Sequence, residues 1–260
     1  GIVQSEFTPD GVLDGFEQGI TRLFIVPAAL QMVVQHPRAK DTDMSAVKYV
    51  MYGAAPIPLD LLREAVQTIP GAGFLQCYGM TETTELKVVG EDGAELPRGE
   101  VGELICKSPS NMQGYWNLPD ATRGALKDGW MHTGDAAYMD EDGYVYIQDR
   151  IKDMIISGGE NVYPAQVESA IYGHPAVGEV AVIGVPDDTW GEAVKACVVA
   201  KPGSEVDAED IITFTRERLA GFKVPKTVDV IPEMPRNASG KILRRELRAP
   251  YWEGRDRQVN

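Results

Sequence analysis

Between Val12 and Tyr78 the chain alternates short apolar runs with amphipathic stretches of helical period, and this alternation decides the architecture. "VLDGFEQG" places Val12, Leu13 and Phe16 on one helical face, and "ITRLFIVP" reads as a short buried strand. "PAALQMVVQ" opens a helix with Pro27 in its first turn, where a missing N–H costs nothing, and "VKYVMYG" is a strand. "PLDLLREAVQ" is a helix that turns Leu61, Leu62, Ala65 and Val66 inward, and "GFLQCYG" is a strand. Strands separated by helices imply a parallel α/β sheet, and such sheets collect ligands beyond the carboxyl ends of their strands. Two loops leave those ends, "GAAPIP" from Gly53 and the hydroxyl-rich "GMTETT" from Gly79.

The texture then changes twice. From Glu85 to Asp149 short strands and turns ("ELKVV", the "EDG" turn, "GELICK", "AAYMDEDGYVYIQD") predict a hairpin-rich antiparallel unit resembling a small distorted barrel. After "DRIKD" a helix from Pro164 to the stop at Gly173 leads into the strands "EVAVIGV" and "AVKACVVAK". A helix capped by Asp207 and ended by Gly221, the strand "TVDVI" and a basic closing helix "KILRREL" follow. The expected organisation is 1–149 as part of a large α/β domain (1–84 sheet, 85–149 β-rich), a polar junction at 150–152, and an α+β domain over 153–260.

With 43% hydrophobic residues in 260, the chain can bury a substantial core. A net charge of −14 argues against a nucleic-acid partner, although the segment from Lys223 onward is locally basic and could meet a phosphorylated small molecule. Cys77, Cys106 and Cys197 lie far apart in apolar runs and are expected to pack as buried, reduced thiols, which suits a cytoplasmic protein. His36, His132 and His174 are equally scattered, with no zinc-ligand spacing. No apolar run is long enough for a membrane span and no signal peptide is evident. The chain begins without methionine, so Gly1 is not expected to be the native start.

Four loops carry polar groups that a core does not need. "YGMTET" sets Glu82 among the hydroxyls of Tyr78, Thr81 and Thr83, a combination suited to Mg²⁺ beside phosphates; a capped turn would look the same. "GWMHTGDAAY" puts Asp135 after a glycine at the entry to a strand, where it can accept from ribose hydroxyls or serve an ordinary turn. In "DRIKDMIISGGENVYP" Gly158 and Gly159 permit positive φ and close approach of a ligand. "PRNASGKILRREL" presents Lys241 at the start of a helix, as a mobile charge for a transition state or merely as an exposed lysine.

Taken in order and spacing, "GAAP", "YGMTETT", "GWMHTGD", "DRIKDMIISGGENVYP" and "PRNASGK" resemble the adenylate-forming acyl-CoA synthetases, and among them the fatty-acyl-CoA ligases, over nearly the whole chain. That family uses Mg-ATP to convert a carboxylic acid to an acyl-adenylate and then passes the acyl group to coenzyme A. The resemblance implies ATP, Mg²⁺ and coenzyme A as cofactors and a fatty acid as substrate. It places Gly53, Ala54, Ala55 and Pro56 in the adenine pocket, with Tyr78 stacked on the base and Gly79 and Met80 beside it. Thr81 would contact phosphate, Glu82 would hold Mg²⁺, and Asp135 and Arg150 would take the ribose hydroxyls. Lys152 matches the hinge of a swinging C-terminal domain, Gly158 and Gly159 flank the pantetheine channel, and Lys241 stabilises charge during adenylation.

Two departures qualify the resemblance. The family's upstream Ser/Thr/Gly-rich phosphate loop does not occur in this sequence, and Thr84 meets Glu85 where relatives carry a few tens of residues completing the nucleotide pocket. A non-catalytic nucleotide- or acyl-binding fragment, and transfer to a carrier protein instead of coenzyme A, therefore stay open. The acid is not fixed: Phe24, Val26 and Met32 serve an acyl pocket or simply the core. Oligomeric state and peripheral membrane contact are equally open.

Overall fold

The computed structural model describes residues 7–53, 55–77, 86–109, 111–237 and 240–254. Residues 54 and 78–85, which include Ala54, Tyr78, Gly79, Met80, Thr81 and Glu82, lie outside them.

The first unit comprises α1 (Pro9–Glu17), β1 (Arg22–Ile25), α2 (Pro27–Val34), β2 (Tyr49–Gly53), α3 (Leu59–Thr68) and β3 (Gly73–Cys77). Thr8 Oγ1 accepts from Gly11 N at 3.1 Å and starts α1, whose Val12, Leu13 and Phe16 are buried as their spacing predicts. The strands pair in parallel in the order β1-β2-β3. Helices cover only one face of this sheet, so β1 is a half-exposed edge strand rather than a buried one. Phe24 is 66% exposed and Met32 53%, while Val26 is half-buried, so none of the three belongs to the core. Val66 is likewise exposed and Leu62 only half-buried, which leaves Leu61 and Ala65 as the inward face of α3. Cys77 is exposed because it ends the other edge strand; only Cys106 and Cys197 are buried thiols.

The second unit comprises β4 (Leu86–Val89), β5 (Gly102–Cys106), α4 (Pro119–Ala125), β6 (Leu126–Lys127), β7 (Trp130–Met139) and β8 (Val145–Arg150). It is the expected antiparallel unit, a half-barrel in the order β4-β5-β7-β6 with β8 also on β7, closed over Val88, Leu104 and Ala137. Asp135 stands in the middle of β7, not at its entry. The helix α4 has no counterpart in the sequence reading. It buries none of its residues, so it lacks the apolar stripe by which helices are recognised, although Pro119 at its first turn was a usable signal.

The third unit comprises β9 (Ile155–Ser157), β10 (Glu160–Val162), α5 (Pro164–Tyr172), β11 (Val177–Asp187), β12 (Gly191–Ala200), α6 (Ala208–Arg216), β13 (Thr227–Val230) and α7 (Arg244–Arg248). The sheet runs β10-β9-β12-β11, with β13 parallel to β12. Gly158 and Gly159, at φ +62° and +83°, form the two-residue turn between β9 and β10, where both positions require the left-handed region. α6 stops at Arg216, short of Gly221. Lys241 is not at a helix start: Asn237 N donates to Lys241 O at 3.0 Å, Lys241 N donates to Asn237 Oδ1 at 2.9 Å, and α7 begins three residues later.

One buried apolar cluster joins the first and third units, running from Leu13, Leu30 and Leu61 to Val162, Ile171 and Ile211. Gln31 Nε2 donates to Gly178 O at 2.6 Å and Gln35 Nε2 to Tyr172 Oη at 3.1 Å across the same boundary. Among the described residues no helix is long and apolar enough to cross a membrane.

Candidate nucleotide-binding site

β2 and β3 stay paired to their carboxyl ends, where Gly53 lies opposite Cys77. A Cβ on Gly53 would sit far inside van der Waals contact with the Cys77 carbonyl oxygen, so only glycine allows the two strands to deliver their loops side by side. Of the residues that follow, Ala55 and Pro56 are exposed.

Asp135 and Arg150, fifteen residues apart in sequence, are direct partners in the β7–β8 register. Arg150 Nε lies 2.8 Å from Asp135 Oδ1, and Arg150 Nη1 donates to Thr133 O at 3.1 Å. Asp135 is only 5% exposed whereas Arg150 is open to solvent. A carboxylate acceptor beside a guanidinium donor is the polar set that a vicinal diol needs.

The segment after Arg150 is held by ions. Asp149, on β8, accepts from Arg150 N with Oδ1 and from Ala165 N with Oδ2, both at 2.7 Å. The second bond caps α5, whose own preceding residue Tyr163 supplies no side-chain cap. Burial raises the Asp149 carboxyl to about 6 against the attraction of Arg244. Arg244 grips both oxygens of Glu168 at 2.8 Å, and Arg248 Nη1 meets Asp153 Oδ1 at 3.0 Å. Lys152 stands exposed between these anchors, and its carbonyl accepts from Arg248 at 3.5 Å. The network escaped the sequence reading because its bonded partners are up to 96 residues apart.

On the third unit, Gly158 N donates to Trp190 O at 2.9 Å, and a Cβ on Gly158 would lie 2.7 Å from the Trp190 ring. Lys226 Nζ stands 5.7 Å from the centre of that ring, which leaves a narrow, cation-flanked aromatic surface over the glycine turn. Lys241 is exposed, on a turn anchored by Arg236, which donates to Gly240 O at 2.7 Å and pairs with Glu179. Thus Asp135 and Arg150 are brought together, Gly158 and Gly159 share one turn, and Lys241 occupies a separate braced turn. Glu82, the expected Mg²⁺ ligand, lies outside the described residues, among which no group of three or more His, Cys, Asp or Glu is placed to hold a metal.

Residues 2–86 match the model of the AMP-binding enzyme family, and residues 166–241 match that of the AMP-binding enzyme C-terminal domain. The chain belongs to the AMP-binding enzyme family. Similarity to a feruloyl-CoA synthase of an Amycolatopsis species is 42% identity over 276 residues, covering 96% of this chain and 56% of the relative. A fatty acid–[acyl-carrier-protein] ligase of Streptomyces coeruleorubidus is 44% identical over 93% of the chain and 52% of its own length. A medium/long-chain-fatty-acid–CoA ligase of Mycobacterium tuberculosis is 37% identical over 99% and 51%. The chain therefore spans about half the length of the curated relatives it matches. The match to the AMP-binding enzyme model ends at residue 86, beside the Thr84–Glu85 junction.

Among solved structures, ATP-bound MatB from Rhodopseudomonas palustris superposes with a TM-score of 0.87 at 36% identity, covering 96% of this chain and 54% of that one. Apo MatB from the same organism, at 37% identity and 95% and 54% coverage, gives 0.70. The overall superposition is better on the ATP-bound structure than on the apo one.

Proposed function

We propose that this chain is the C-terminal portion of a ligase that activates a medium- or long-chain fatty acid with ATP and transfers the acyl group to coenzyme A, releasing AMP and pyrophosphate. The Asp135–Arg150 pair carries this reading. It sets an acceptor and a donor side by side at the point where the half-barrel meets the third unit. In this reading Gly53, Ala54, Ala55 and Pro56 border the adenine with Tyr78, Gly79 and Met80, and Thr81 contacts phosphate. Mg²⁺ held by Glu82 would draw charge from the phosphates.

The chemistry asked of this chain is the attack of one anion on another. Lys241 places a positive charge against the pentavalent α-phosphorus, where it favours the transition state over the separated reactants. Residues 150–152 act as a pivot, with Lys152 at its centre, about which residues 153–260 move as a domain. Once Lys241 has withdrawn, the turn at Gly158 and Gly159 borders the path of the thiol. Two positions of one domain thus separate adenylation from thioester formation.

The test is to mix the protein with ATP, Mg²⁺ and a panel of fatty and aryl acids, trap acyl-adenylate with hydroxylamine, and then supply coenzyme A. Hydroxamate and AMP formed with decanoate or palmitate in preference to ferulate support the reading. AMP binding without adenylate formation assigns the chain to the non-catalytic class. Transfer to a carrier protein is the second reading, favoured by the 44% identity to a ligase named for that acceptor. Side-by-side rates with coenzyme A and a phosphopantetheinylated carrier decide between them.

A further inference from the structure

We propose that Glu103 is the positioning residue of the ribose subsite: its carboxylate holds the His132–Asp135 segment so that Asp135 and Arg150 face the two ribose hydroxyls. The inference rests on the nucleotide reading above and deepens it. It starts from a break in a ladder. Along β5 and β7, Glu103 pairs with Ala136, but Ile105, two residues on, pairs with His132, four residues back. Thr133, Gly134 and Asp135 thus stand opposite Leu104 alone. A bulge of this kind leaves backbone groups without ladder partners and re-aims the side chains it carries.

Side chains supply what the ladder does not. Glu103 Oε1 accepts from Gly134 N at 3.1 Å, and Glu103 Oε2 lies 2.7 Å from His132 Nδ1. Thr133 Oγ1 donates to Leu104 O at 2.6 Å and accepts from Asp135 N at 3.0 Å. Gly134 adopts φ +71°, the left-handed conformation that swings Asp135 toward Arg150. Arg150 closes the ring by donating to Thr133 O at 3.1 Å. Glu103 touches both sides of the bulge, at His132 and at Gly134, and its strand is separated from that of Arg150 by β7. Its effect on the nucleotide passes through the turn. A ribose site built on a bulge requires such a brace, because pre-organisation is what turns two hydrogen bonds into discrimination.

The experiment compares AMP with 2′,3′-dideoxy-AMP, titrated calorimetrically into the wild-type chain and into Glu103→Ala and Glu103→Gln. In the wild type, AMP binds about tenfold more tightly or better, as expected for a pair of hydrogen bonds to charged groups. Glu103→Ala brings that ratio close to one while changing dideoxy-AMP affinity less than about threefold, a control that the base pocket is intact. Glu103→Gln retains an acceptor for Gly134 N and recovers most of the ratio. An alanine variant that keeps the wild-type ratio, or that weakens both nucleotides equally, overturns the positioning role and leaves the ribose reading standing. A wild-type chain that binds the two nucleotides alike, or neither, overturns the ribose reading and this proposal with it.

Discussion

Replacing Arg244 by methionine tests whether the junction after β8 is held by charge or by packing. The guanidinium donates to both Glu168 oxygens at 2.8 Å and lies 3.8 Å from Asp153 Oδ2; its field also opposes the burial that raises Asp149. Methionine keeps the apolar stem and removes the charge. Glu168 then retains only its bond from Val182 N, at 2.8 Å, and three carboxylates face one another with Arg248 as the remaining partner for Asp153. Breaking a buried pair in this way costs about 3–5 kcal/mol, and for a chain of this size the melting temperature falls by on the order of 10 °C. The pH dependence has a definite sign. Asp149 is raised in the folded state, so as pH falls through about 6 the folded chain takes up the proton first, and one of the stranded charges disappears. The loss in Arg244→Met is therefore largest at pH 8 and smaller at pH 5. Thermal unfolding followed by circular dichroism at both values measures it, with Arg244→Met/Glu168→Leu as the second variant of a cycle. A loss below about 1 kcal/mol at pH 8, a loss that does not shrink at pH 5, or a double variant no better than the single one refutes the argument.

Three further outcomes are expected. Asp149→Asn removes the titration of a carboxyl raised from 3.8 to about 6, so the wild type, but not the variant, loses up to about 3 kcal/mol as pH rises across that interval; parallel stability profiles would be the contrary result. Gly53→Ala forces β2 away from the Cys77 carbonyl and costs about 1–3 kcal/mol in urea unfolding, and an unchanged midpoint would show that the strand ends are free to part. Lys241→Ala lowers adenylation on the order of 100-fold or more while sparing transfer from supplied acyl-adenylate; equal losses in both half-reactions remove its assigned role.

Local pattern was legible and non-local pairing was not. Helices α1, α2 and α5 were readable because each begins at a proline or a capping threonine and repeats its apolar residues at helical spacing. The exposure of Phe24, Met32 and Cys77 was not readable, because hydrophobicity says that a side chain favours burial, not whether a second layer covers its sheet. At the site, the motifs pointed to Asp135 and Arg150, but a motif records residue types and not hydrogen bonds. Glu103 inside "GELICK" looked like an ordinary polar strand position until the bulge placed it under Gly134. Asp149 closed the β-rich stretch "AAYMDEDGYVYIQD" in sequence, yet it caps a helix sixteen residues further along.

The apolar cluster shared by the first and third units has a consequence in time. β11 and β12 are joined by three residues and pair over most of their length, so the third unit can form early from contacts close in sequence. The first unit cannot. Its parallel strands need crossover connections, and Leu30 and Leu61 complete their burial in a cluster that includes Val162 and Ile211, made about a hundred residues later or more. During synthesis the earlier segment therefore emerges without its partner and waits for the later one, with Leu30 and Leu61 incompletely covered meanwhile. Of these two units, the one made later can become stable first, and the emergence of β11 and β12, more than that of β1 to β3, is expected to set when the first unit becomes resistant to proteolysis.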